Sequence, residues 1–124
     1  MQIVNLTHHP VKIYSEDTPD RVENPDDGVL LTLPPAGQFA RLSEAVTGED
    51  TFVTEEGVKI PVSLVSYAEI QGLPEPQEGV LWVVPLMTAL AATGRTDLLV
   101  PYEQVRNQEG TVVGCRRLGR VQTQ

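Results

Sequence analysis

The chain is predicted to fold as an α+β domain, mostly antiparallel β strands with one main helix at about residues 86–94. Three observations predict this. Short apolar runs with two-residue alternation recur along the chain. Clusters rich in Pro, Gly and Asp separate them. One stretch alone, "LWVVPLMTALAATGRTD", carries apolar residues at helical spacing.

Gln2 to Leu6 reads as a first strand, and Val11 to Tyr14 as a second strand or a continuation after Pro10. "SEDTPDRVENPDDG", residues 15–28, is an acidic loop or hairpin tip whose charges suit a solvated surface. "GVLLTLPPAGQFARL" has the pattern of strand, Pro-Pro-Ala-Gly turn and strand, which predicts a hairpin. Residues 43–57 are polar and loop-like, with Ser43 to Ala45 able to begin a helical turn.

Ile60, Val62 and Leu64 alternate with Pro61, Ser63 and Val65, and Ala68 and Ile70 continue one face while Tyr67, Glu69 and Gln71 occupy the other. Pro61 places this strand's start at an edge or an irregularity, because it has no N–H for a second neighbour. "GLPEPQEG" is a rigid connection into a buried central strand, Val80 to Val84, which is apolar on both faces. Pro85 follows, where a helix tolerates proline best, and Gly94 ends the helical pattern carried by Met87, Leu90 and Ala91. Leu98 to Val100 reads as a short strand, and "NQEG" as the turn before a last strand, "TVVGCRRL".

A chain of 124 residues with 40% hydrophobic content supports a single domain, residues 1–124. Its opening "MQIVNLTHHP" lacks the basic and apolar regions of a secretory signal, and Val80 to Ala92 is too short to span a bilayer. Cys115 stands alone, so no internal disulfide forms and a cytoplasmic setting is expected. A net charge of −8 argues against binding a DNA or RNA polymer. Yet residues 95–124 hold five Arg against three acids, whereas residues 1–94 hold four Lys or Arg against fourteen. Arginine's planar fork suits carboxylate or phosphate, so a small anion is the expected ligand.

Catalytic patterns are sparse. His8 and His9 are adjacent and would point to opposite strand faces, with no further ligands near in sequence, so no metal is expected. Cys115 shares a strand face with Val113, as a small buried thiol does, although Arg116 and Arg117 beside it would lower its pKa if it were open to them. Ser63, Ser66 and Ser15 lack a nucleophile elbow, and no phosphate-binding glycine loop occurs. Glu55 and Glu56 sit in a polar stretch with no sign of burial. No cofactor and no enzymatic activity are expected. Candidate recognition residues are instead Thr88 at the helix start, Arg95 and Asp97 in the loop after it, Arg106, Arg116, and Tyr67 for stacking.

Four stretches, "NLTHHPV", "LPPAGQFARL", "YAEIQGLPEPQEGVLWVVPLM" and "GRTDLLVPYEQVRNQEGTVVGCRRL", together resemble a set of small phage, prophage and actinobacterial proteins. Those proteins open with an asparagine–leucine–threonine–proline–histidine–proline run. Asn5, Leu6, Thr7, His9 and Pro10 match it, whereas His8 replaces a proline, Pro85 a small polar residue and Ala68 a glycine. Small phage proteins of this style include oligomeric sponges that disarm bacterial immunity by binding cyclic nucleotides or cyclised ADP-ribose without cleaving them. The resemblance implies a homo-oligomer in the host cytosol that sequesters a small, anionic, nucleotide-derived signal at a site between subunits. The alternative expectation is a structural or regulatory interaction module with an exposed apolar surface and no dependence on the arginines.

Overall fold

The computed structural model describes residues 1–122, with Ala68 described by its backbone alone. Eight strands and one helix run in the order β1 (Gln2–Asn5), β2 (Val11–Tyr14), β3 (Val29–Leu33), β4 (Arg41–Val53), β5 (Lys59–Gln71), β6 (Val80–Val83), α1 (Leu86–Ala91), β7 (Leu98–Arg106) and β8 (Val112–Gly119). The fold is mostly β with a single short helix among the described residues, and by residue pairs its strands are largely antiparallel.

Six strands form one sheet in the order β1-β6-β7-β8-β2-β3. Its two edges meet at Asn5, which bridges to Pro35, accepts the Ala36 N–H at 2.9 Å and donates from its side chain to the Leu33 carbonyl at 2.9 Å. The sheet therefore curls almost to closure. β1, β6 and β7 are parallel, because β6 reaches β7 through the α1 crossover instead of a tight turn. Val11, Leu33, Val83, Leu99 and Cys115, from five different strands, meet inside the curl. Trp82, Val84, Leu98 and Val100 point the other way and pack with Leu6, Ala40 and Ala89 of α1. Alternation thus sends the two faces of β6 into two cores, which is why Val80 to Val84 is apolar throughout.

Several expectations are corrected. The helix ends at Ala91 instead of Thr93 or Gly94: the Ala92 N–H closes on the Thr88 carbonyl, and Gly94 turns the chain at φ +85°. β7 runs on through Pro101 to Arg106, because it trades β6 for β8 as its partner after Leu99. The hairpin expected over "GVLLTLPPAGQFARL" does not form. β3 pairs with β2 across the acidic loop, Val11 facing Leu33, since that register places both side chains in the core.

Residues 43–57 are not a loop. β4 covers Arg41–Val53 and pairs along its whole length with β5, Phe52 opposite Ile60 and Leu42 opposite Ile70. A ladder satisfies the backbone of polar residues as well as apolar ones, so strand formation here follows the partner and not the composition. The reversal at Thr54–Val58 is closed by two backbone bonds, Thr54 N–H to Val58 O and Gly57 N–H to Thr54 O, each 2.9 Å. The β4–β5 ribbon is a separate two-stranded sheet and projects as an arm. At about 3.4 Å per residue its thirteen-residue strands reach about 40 Å. Pro61 lies on a strand with one neighbour only, as expected. No helix among the described residues is long and apolar enough to cross a membrane.

Candidate functional site

The arginines singled out from the sequence are placed apart, and each is engaged within the fold. Arg95 grips Asp97 with two parallel bonds, Nε to Oδ1 at 2.8 Å and Nη2 to Oδ2 at 2.9 Å, and also donates to the Pro74 carbonyl at 3.0 Å. This pair is mostly buried and ties the loop after α1 to the "GLPEPQEG" connection. The guanidinium holds the Asp97 carboxyl below the usual carboxylate range, against the opposing effect of burial, and Asp97 in turn raises Arg95. The Trp82 indole N–H, buried without a hydrogen-bond partner of ordinary geometry, adds a small stabilising influence on the same carboxylate.

Arg106 donates to the Gly110 carbonyl at 2.8 Å and to Gln104 Oε1 at 3.0 Å, so it staples its own β7–β8 turn. Arg116 reaches Asp20 at 2.7 Å, the Thr18 carbonyl at 2.9 Å and Glu103 at 3.4 Å, fastening the acidic loop to the sheet. Arg95 precedes β7 and Arg106 ends it, which separates them by roughly 25 Å along the strand. Thr88 is buried inside α1, and Tyr67 stands exposed on the arm. Only Arg95 and Asp97 come together, as an ion pair. The six residues do not line one cavity, and replacing the three arginines would loosen loops as well as remove charge.

The histidine loop is where the chain builds something the sequence left unassigned. Asn5 is buried at the end of β1, and its amide is fully used. Its Nδ2 donates to the His9 carbonyl at 2.8 Å and to Leu33 O, while its Oδ1 accepts from the Thr7 N–H at 2.9 Å and Thr7 Oγ1 at 2.6 Å. Asn5 and Thr7, the polar core of the opening motif, therefore shape the loop. His8 is held outward by stacking on Phe39, ring centroids 3.9 Å apart.

Thr7, His8, His9, Val84 and Pro85 border a cleft of about 480 Å³, which is the space in front of the helix start. It lies where β1 and β6 end and β7 parts from β6, the carboxyl end of the parallel strands, a usual place for ligands in such sheets. Its walls are mainly apolar and include no Lys, Arg, Asp or Glu. Across Pro101 a second cleft, about 670 Å³, is bordered by Leu86, Tyr102, Gln104 and Arg120.

Cys115 is buried in the curl, its Sγ near the Lys12 carbonyl, and burial pushes its thiol up despite Arg116 and Arg117. Their charges are turned outward to Glu16, Asp20 and Glu103, which is why they do not activate it. No group of three or more metal-ligating side chains occurs among the described residues.

The arm offers the clearest surface. Its register puts Phe52, Ile60, Val62, Leu64 and Ala45 on one face, where Asp50 is the only charge outward of Ala45 and Arg41 lies at the root. The side chain of Ala68, expected on this face, lies outside the described residues. Glu44, Glu49 and Lys59 belong to the other face, among Leu42, Val46, Val53, Val65 and Tyr67. Gly48 faces Leu64, whose side chain would stand 3.2 Å from an added Cβ. The alternation of Ile60, Val62 and Leu64 was visible in the sequence; that no second sheet covers it was not. No protein-family model, curated protein or solved structure matches the chain.

Proposed function

We propose that this chain is a non-enzymatic binding module that works by docking the apolar face of its β4–β5 arm onto a protein surface. One observation carries the reading: along a ribbon of about 40 Å, the outer part of one face carries Phe52, Ile60, Val62 and Leu64 with Asp50 as its only charge, yet that face is open. Phe52 is 59% exposed, Leu64 51% and Ile60 43%. A lone two-stranded ribbon is marginal in water, and a contiguous exposed apolar face marks an interaction site.

The test is a photo-crosslinking side chain placed at Phe52 or, on the opposite face, at Ser63, in the cell that expresses the protein. Covalent adducts specific to position 52 are expected. Equal adducts from both faces, or none, would refute a face-specific dock.

A second reading keeps the expected role of a sponge for a small anionic nucleotide-like signal, acting in the cytosol of a phage host. It is favoured by the two clefts that meet at Pro101, each within the size range of ligand pockets. In this reading Arg120 supplies the cation, and the residues first expected to do so are loop fasteners. A messenger at a hundred times its Kd stabilises the folded state by about 2.7 kcal/mol. Thermal melting against nucleotide messengers should then show a shift that Arg120→Ala removes. No shift with any messenger leaves docking alone.

A further inference from the structure

We propose that the occupant of the arm's apolar face is a second copy of this chain: each copy lays its arm across the exposed face of the other's α1. The proposal rests on the docking role assigned to the arm above and names its partner.

Reach comes first. The body without the arm, about 93 residues, has an expected radius of gyration of about 12 Å and is therefore about 30 Å across. An arm of about 40 Å spans such a body from edge to edge.

Area decides how two copies meet. Two strands about 4.8 Å apart make a ribbon about 10 Å wide, so one face offers about 400 Å². Stacking two arms face to face would bury only that much on each copy, half the roughly 800 Å² per partner of a standard interface. It would also bring two Asp50 carboxylates onto one apolar contact. Reciprocal exchange uses each copy twice, once as arm and once as receiving surface, and arrives at about 800 Å².

A receiving surface is present. Leu86, Met87 and Leu90 share one side of α1 and are all about half exposed, with Tyr102 exposed nearby. Arg120 is the one charged residue at the adjoining cleft and matches Asp50, the one charge on the outer part of the arm's face. The root of β4 packs on α1 of its own copy, so arm root and receiving surface are neighbours. Two arms can then run past each other about a single two-fold axis, the closed symmetry of most homodimers.

Sedimentation velocity of the full chain across micromolar concentrations tests this, with Leu64→Asp on the arm and Met87→Asp on the receiving surface. Both positions are exposed, so each variant should stay a cooperatively folded monomer that melts like wild type diluted below its dissociation point. Wild type is expected to be a dimer and each variant alone a monomer. An equimolar mixture of the two variants should associate more than either alone and less than wild type, because one intact arm then faces one intact surface while the second exchange stays broken. Phe52→Ser and Leu90→Ser repeat the test without added charge. A monomeric wild type overturns the proposal, and so does a Met87→Asp variant that dimerises like wild type, the outcome expected of arm-on-arm stacking. Position-52 adducts to a different protein from a monomeric wild type would overturn the exchange while leaving the docking reading intact.

Discussion

Replacing Asn5 tests whether the loop after β1 is held by one side chain. Asn5 is 2% exposed, and four hydrogen bonds end on its amide. Asn5→Ala removes all four. The Leu33 carbonyl loses a buried partner, whereas the Thr7 and His9 groups are near enough to solvent to recover part of theirs. A net bond is worth about 1 kcal/mol and a buried polar group left unpaired costs about 1–3 kcal/mol. The sum is about 3–4 kcal/mol, against a total stability of about 6–18 kcal/mol for a chain of this length. The variant should fold and melt roughly 12–16 °C lower.

Asn5→Asp sharpens the test, because it keeps the shape and the Oδ1 acceptor but turns the Nδ2 donor into an oxygen facing two carbonyls. A carboxylate in that position has a folded pKa raised above its unfolded value of about 3.9. Its stability is then greatest below the unfolded pKa and is lost as pH rises through the raised folded value. At neutral pH the Asp variant should be less stable than the Ala variant, and the gap should narrow in acid. Urea unfolding followed through Trp82, the single tryptophan and a buried one, gives both numbers. An Ala variant within about 1 kcal/mol of wild type would refute the reasoning, since the loop would then stand without its side-chain bonds.

Three further outcomes follow from the packing. Gly114→Ala would drive a Cβ into the Lys12 carbonyl and to 2.6 Å from the Tyr14 ring, so β2 and β8 must part; a loss of at least about 2 kcal/mol in urea unfolding is expected, and a silent substitution would contradict the close approach. Asp97→Asn replaces a charged two-point clamp by a neutral one and should cost about 1 kcal/mol at neutral pH. Because the folded Asp97 carboxyl is lowered, wild type keeps this advantage above the ordinary carboxylate pKa and loses it as pH falls through the lowered value, which paired melts at acid and neutral pH would register. The Cys115 thiol should resist a disulfide reagent in the native state and react at the global unfolding rate, whereas fast native labelling would reopen a nucleophilic role.

What was legible in the sequence was local. Alternation located β5, the doubly apolar run located β6, and Pro85 and Gly94 bracketed the helix to within three residues of its end. Cys115 was read as a buried thiol from its place beside Val113, and it is. The candidate site was legible only as separate residues. Arg116 was visible as a cation, but its partner Thr18 lies 98 residues away, so nothing nearby announced that it was already engaged. Thr7 and His9 were visible as a motif, but that Asn5 bolts them to Leu33 requires β1 and β3 to meet.

β4 shows the same division. "SEAVTGED" has no apolar period of its own and becomes strand because β5 supplies a ladder. The sequence by itself determined the short strands, the one helix and the burial of Cys115, because periodicity and turn chemistry act within a few residues. Only the tertiary structure decided which strand pairs with which, which arginines are neutralised, and that one long apolar face is left uncovered. Those outcomes depend on which distant groups reach each other, a competition among partners that no local window contains.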